Sequence, residues 1–269
     1  MRPFPTVPNG RDICYMKSMS RGLIRGLLIT LFAAPFVLNG GNGAAASAGG
    51  ADPRFPGLLQ RFLSLDDPSP TAYRALRRLD ARNQNLNKAA WMDVWTEYDK
   101  SGMFKYSVVA EGGSGYIRSK VFRESLETEK KMYASGAPSR AELTAENYLF
   151  AEGVAADGLS GVVVTPRRKD VLLVDGSIFL KPEDGDLVRI EGRLSKAPSF
   201  WIRQVDIIRS YRRIAGVRMP VAVEAVANVR LAGRATFRMT YEYETVNGRR
   251  VGTPEPRSAT NETLARSEP

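Results

Sequence analysis

From residue 147 onward the apolar positions recur at every second residue in blocks separated by turn-forming residues, which predicts a succession of β-strands. The blocks cover 147–154, 159–166, 171–180, 187–194, 200–214, 218–229 and 233–246. Asp157-Gly158, Asp175-Gly176, Glu183-Asp184-Gly185-Asp186 and Asn247-Gly248 are read as the turns between them, because Asn, Asp and Gly tolerate positive φ. In the last block Phe237, Met239, Tyr241 and Tyr243 share one face, while Thr236, Arg238, Thr240, Glu242 and Glu244 share the other. One side of that strand meets apolar material and the other meets water. Strands in sequence order with short turns predict an antiparallel meander. The 200–214 block is long enough to bend, as a strongly curved sheet requires.

The first half is mixed. Leu58, Leu59, Phe62 and Leu63 recur at helical spacing and stop at Asp66-Asp67-Pro68, which predicts a short amphipathic helix over 55–65. Residues 73–83 fit helix or strand, and we read strand. In 91–98, Trp91, Asp93, Trp95 and Glu97 alternate with Met92, Val94, Thr96 and Tyr98; after Lys100-Ser101-Gly102, Phe104, Tyr106, Val108 and Ala110 share a face, completing a hairpin. Residues 116–134 carry the stripe Ile117, Val121, Leu126 and Met132 or Tyr133 among many charges, predicting a surface helix laid across the sheet.

The N-terminal region has a different logic. Basic residues Arg11, Lys17, Arg21 and Arg25 precede an apolar run over 26–38 and then Ala46-Ser47-Ala48, the order of a secretory signal. The run is shorter than the roughly 20 residues of a bilayer span and contains Pro35. We expect residues 1–48 to be a signal peptide cleaved near Ala48 and the product to be periplasmic. Met16 or Met19 would each begin a signal of ordinary length, so the start is expected at one of them. Residues 49–57 read as a flexible leader, 58–248 as a single domain, and 249–269, polar and non-periodic, as a disordered tail.

Composition narrows the chemistry. The only cysteine is Cys14 and histidine is absent, which removes a disulfide framework, the usual zinc ligands and the commonest general base. No cofactor, metal site or catalytic residue is expected, and the chain is read as non-enzymatic. Without residues 1–48, 34 basic residues stand against 28 acidic, a charge of +6 that suits transient contact with anionic lipid or an acidic partner and not nucleic acid. The loop 111–115 lacks the Lys-Ser/Thr of a phosphate cradle and the spacing of a nucleophile turn, so it is read as a strand-to-helix connection. Glu183, Asp184 and Asp186 lack the later glutamate of a calcium loop and are read as a hairpin turn. The carboxylate pairs Asp93 with Glu97 and Glu242 with Glu244 are read as solvated or salt-bridged to nearby arginines, and Arg167-Arg168-Lys169 as an exposed basic turn.

The hairpin DLVRIEGRLS (186–195), the strand FWIRQVDIIRSYRRI (200–214) with Tyr211, and the turn AGVRMP (215–220) with Gly216-Val217 and Pro220 resemble the periplasmic outer-membrane lipoprotein-sorting proteins. The resemblance follows element order over about 55–248, with residue detail only over 175–220. It implies a curved antiparallel sheet forming an incomplete barrel, mainly β with helices, whose concave face is covered by helices and accepts acyl chains of a lipoprotein or another envelope lipid. The charged helix over 116–134 and the arginines 203, 209, 212, 213 and 218 depart from that pattern. No cargo-gripping residue of the family matches a position here, so the cargo is not carried over.

From alternation, the cavity lining is expected to include Trp91, Trp95, Phe104, Tyr106, Phe237, Met239 and Tyr241. The competing reading is an envelope scaffold or binding protein with a fully packed sheet, engaging a protein or lipopolysaccharide. A histidine-free carboxylate hydrolase is a weaker third.

Overall fold

The computed structural model describes residues 55–65, 67–135 and 141–257. The expected signal and its cleavage site, most of the expected leader and residues 258–269 lie outside the described residues.

Eleven strands form one antiparallel sheet: β1 (Tyr73–Asn83), β2 (Lys88–Tyr98), β3 (Phe104–Gly113), β4 (Tyr148–Glu152), β5 (Ser160–Pro166), β6 (Val174–Leu180), β7 (Leu187–Leu194), β8 (Ile202–Ile214), β9 (Val217–Val229), β10 (Gly233–Val246) and the short β11 (Arg249–Arg250). The order across the sheet is β3-β2-β1-β10-β9-β8-β7-β6-β5-β4, with β11 beside β10. The meander from β4 to β10 is joined to the β1–β3 meander by β1 pairing with β10, Leu79 opposite Met239 and Arg77 opposite Tyr241. The two ends, β3 and β4, do not pair, so the sheet is an open, incomplete barrel. Register shifts at Arg74/Ala75, Asp93/Val94, Phe179/Leu180, Ile202/Gln204 and Ser210/Tyr211 supply local twist where the long strands must bend.

Helix α1 (Phe55–Ser64) buries Leu58, Leu59 and Phe62 and sits against the β6–β7 turn, where Gly185 has φ +75 and no side chain to hold the helix off. After β3 the chain turns at Ser114 into α2 (Gly115–Ile117), a π-helical turn (Arg118–Arg123) and α3 (Glu124–Ser135). The predicted stripe explains the π turn. Val121 and Leu126 are five apart, a spacing an α-helix would splay and an i→i+5 turn brings back to one side. It also turns Phe122 inward, where it is 0% exposed and meets Phe237 edge-on. Helix α1 and the α2–π–α3 segment lie on one face of the sheet, called inner here, over the core formed by Leu79, Met92, Val94, Ile178, Ile190 and Met239 with their neighbours. A smaller cluster of Tyr73, Ala75, Val217, Met219, Tyr243 and Val246 closes the opposite end of β1 and β10.

Two expectations change. Asp175-Gly176 is not a turn: it lies inside β6 opposite Arg193 and Gly192, and a Cβ at Gly176 would collide with the Glu191 carbonyl. The glycine is there because two backbones approach closely. The polar segment after 248, read as a disordered tail, lies against the sheet over its described part, 249–257. Arg249–Arg250 pair with β10, the Val251 amide donates to the Glu244 carbonyl, and Arg78 reaches the Glu255 carbonyl at 2.6 Å. It crosses the outer face of β1 and β2, where Arg257 bonds to Asp80 and to Asp93, which is 0% exposed. Elsewhere Asp67 and Asp186 share Arg213 and Arg218 at 2.8–2.9 Å, fastening the chain after α1 to β7 and to both strands flanking the β8–β9 turn.

Candidate functional site: the inner face beneath its helices

The strand period of two assigns the expected lining residues to faces, and it divides them. Met92 and Val94 of β2 are 0% exposed beneath the helices. Trp91 and Trp95 therefore point to the outer face, where Arg257 lies over the Trp91 ring at 4.8 Å and Arg74 over the Trp95 ring at 4.1 Å. Two large indoles belong to a surface because its arginines stack on them. The other five residues share the inner face. Met239 is fully buried, Phe104 and Phe237 nearly so, and Tyr106 and Tyr241 pack at the margin of the core. Size and aromatic character drew attention to Trp91 and Trp95, but the alternating partners Met92 and Val94 were the true inner set.

What sequence reasoning missed is a charge at the centre of the site. Arg77 lies on the inner face of β1, 1% exposed, and is gripped by Glu129 of α3, 5% exposed, through two bonds of 2.6 and 2.9 Å. A third bond at 3.0 Å runs from Arg77 to the Tyr73 hydroxyl. The guanidinium carbon is 4.7 Å from the Tyr241 ring centre and 5.2 Å from that of Phe104. Burial opposes the charge on Arg77, and Glu129 together with the Tyr241 and Tyr73 phenols more than offsets it, holding the guanidinium well above its usual range. The available signal was Arg77 occupying an apolar phase of β1, between Ala75 and Leu79.

Around this pair the underside of α3 is polar and aromatic rather than aliphatic. Tyr133 stacks on Phe104 at 5.2 Å and its hydroxyl lies 3.4 Å from that of Tyr73. Tyr106 donates to Glu127 at 2.7 Å, and burial with that carboxylate pushes the phenol up to about 12. Burial also raises Tyr73, Tyr133, Tyr241 and Tyr243. The α2 and π-helical half is fixed differently. Ile117, Val121 and Phe122 enter the core, while Glu111 at the end of β3 accepts from Arg118 at 2.7 Å and forms an ion pair with Arg123 at 2.8 Å. One end of the cover is thus anchored by apolar packing, and the other is tied by hydrogen bonds and a buried ion pair.

The outer face carries an open groove of about 1710 Å³ that crosses from β2 to β6, with Asp80, Trp91, Glu191, Asp206, Glu224 and Arg238 among its lining. Its charges are partly paired, Arg193 with Asp206 at 3.5 Å and Arg238 with Glu224 at 3.4 Å. The carboxylate pairs singled out in the sequence are bound by arginine: Glu97 and Glu244 by Arg74, Glu242 by Arg78, and Asp93, 0% exposed, by Arg257. Among the described residues no group of three or more metal-ligating side chains comes together, and no helix is long and apolar enough to cross a membrane.

No protein-family model and no curated protein matches the chain. Solved structures are similar to it, among them these two. One is a DUF1329 family protein from Desulfovibrio piger, 9% identical over 71% of this chain and 92% of its own, with a TM-score of 0.36. The other is a putative outer membrane lipoprotein-sorting protein domain from Vibrio parahaemolyticus, 10% identical over 71% of this chain and 91% of its own, also with a TM-score of 0.36.

Proposed function

We propose that this chain is a non-enzymatic carrier of the cell envelope, exported to the periplasm, which shelters the acyl chains of a lipoprotein or another envelope lipid between the inner face of its sheet and the helices above it. The observation that carries this reading is the composition of the cover. An apolar floor spans the sheet from β2 to β5, yet it is roofed by separate helical pieces, and beyond Leu126, which enters the core, α3 is tied down by polar bonds and aromatic contacts. Polar ties re-form with water when a helix lifts, whereas an aliphatic underside would resist exposure in proportion to its area. A long acyl chain entering beneath α3 would meet Phe104, Tyr106, Phe237, Met239 and Tyr241, and keeping its own methylenes from water drives its uptake at about 0.8 kcal/mol each. Transfer needs no covalent step, only a recipient site that holds the chain more tightly.

Titration with a fluorescent long-chain fatty acid, read together with hydrogen exchange, tests this function. Saturable binding that speeds exchange in α3 and leaves β8 and β9 unchanged is the expected result. Absence of saturable binding would remove the carrier reading. The outer groove favours a second reading, an envelope binding protein whose polar face engages a protein or lipopolysaccharide; in that case a partner protects Asp206, Glu224 and Arg238 and the inner face binds nothing.

A further inference from the structure

We propose that one rim of the sheet is a membrane-contact edge that inserts apolar side chains into the interface of an anionic bilayer. The meander brings the β1–β2 turn (84–87), the β9–β10 turn (230–232) and the β7–β8 connection (195–201) to the same end of the sheet, on neighbouring strands. Each presents a large apolar residue outward: Leu86 is 48% exposed, Leu231 79% and Phe200 72%. Three large apolar side chains exposed on one rim mark a candidate interaction surface.

The turns are joined to one another and form one surface. The Arg230 amide donates to the Trp201 carbonyl at 2.7 Å and its Nε to the Phe200 carbonyl at 2.9 Å, while its guanidinium lies 4.6 Å from the Phe200 ring centre. Phe200 meets Trp201 edge-on at 5.5 Å. On the other side Asn83 donates to the Ala232 carbonyl at 3.1 Å, and Gly233, at φ +67, leaves room for Asn85. Leu231 itself has φ +65, a conformation that costs an L-residue energy and that Asn or Gly would adopt more readily. A leucine held there, and pointed at solvent, gives the fold nothing that a polar turn residue would not.

Charge selects the partner. Arg82, Lys88, Lys196, Arg203, Arg230 and Arg234 flank these three turns and are exposed, and residues 84–88, 195–203 and 230–234 contain no Asp or Glu. The neighbouring β5–β6 connection adds Arg167, Arg168 and Lys169; its one acid, Asp170, is buried. The acids gather instead at the other end, at Asp99, Asp157, Glu183 and Asp184. Apolar and aromatic tips inside a basic collar match a surface of anionic headgroups over hydrocarbon. This does not rest on the carrier reading, and vesicle binding and acyl-chain binding are separate readouts.

The test is flotation of the protein, as the cell processes it, with phosphatidylglycerol-containing vesicles and with phosphatidylcholine vesicles, at low and high salt. The comparison is Phe200→Ser with Leu231→Asn, which suits φ +65 and preserves the turn; any contribution from the N-terminal segment is common to both proteins. The expected result is salt-sensitive binding to the anionic vesicles and a loss of about tenfold or more in the double variant, with an unchanged Tm. Arg203→Gln with Arg234→Gln is expected to reduce the preference for phosphatidylglycerol while leaving the fold intact. Equal binding by the wild type and the Phe200/Leu231 variant, or no binding to anionic vesicles, overturns the proposal. Tip-dependent cross-linking to a protein without vesicle binding overturns it equally and assigns the rim to a protein partner.

Discussion

Replacing Glu129 by Ala isolates the bond that ties α3 to the sheet. The variant leaves the Arg77 guanidinium, 1% exposed, with the Tyr73 hydroxyl and two aromatic faces but no counter-charge. Removing one partner of a buried ion pair costs about 3–5 kcal/mol, because the remaining charge stays desolvated. Against a typical domain stability of about 5–15 kcal/mol this is a large fraction. Replacing both residues, Arg77→Met with Glu129→Leu, is expected to leave stability near that of the wild type, or above it by up to about 4 kcal/mol, since two desolvation costs vanish with the attraction. Urea denaturation followed by circular dichroism reads both, as a shift in midpoint at constant m-value. A loss below about 1 kcal/mol in Glu129→Ala would mean that the pair behaves as a surface salt bridge, and the account of how α3 is held would fail.

Three further outcomes follow from the geometry. Arg257→Ala withdraws the cation from Asp93, 0% exposed, and should cost about 1–3 kcal/mol while changing Trp91 fluorescence, because Arg257 stacks on that ring; an unchanged midpoint would show that the C-terminal segment is not docked. Burial raises Tyr73, Tyr133, Tyr241 and Tyr243, so the folded state keeps protons that the unfolded chain releases above about pH 10; stability is full below that value and falls as pH rises through the folded pKa values, and tyrosinate absorbance should appear together with unfolding rather than before it. Arg123, with Arg118, holds the Glu111 carboxyl below its usual value of 4.5, so its contribution is present above that pH and is lost as pH falls through the folded value; Glu111→Gln should flatten the acid limb of the stability profile, and an unaltered limb would contradict the assignment.

The strands were legible because one face of this sheet is apolar and the other meets water. β7 and β10 begin and end where alternation and turn residues place them. Alternation was silent on which face is inner, and for β2 large aromatic residues pointed the wrong way. Trp91 and Trp95 are kept on the outside by arginines from elsewhere in the chain, and Arg257 is 166 residues from Trp91 in sequence. The order of residues 251–257 was hidden for the same reason. That segment has no period of its own and is held by Glu244, Arg78 and Asp93, whose availability depends on the finished sheet. Asp175-Gly176 carried turn chemistry in a strand because a glycine also serves close backbone approach, and only the facing Gly192 distinguishes the two. Arg77 looked like a surface residue by type, and its burial required a glutamate 52 positions away.

The central claim, that acyl chains lie between the inner face and α3, is tested most directly by native mass spectrometry of the protein purified without detergent from its native host, followed by lipid extraction of the same sample. The account predicts an adduct with the mass of an acylated molecule, recovered in the extract and lost when Met239 and Phe237 are replaced by larger or charged side chains in a protein that still folds. A single species at the bare protein mass, unchanged after incubation with envelope lipids, would contradict it.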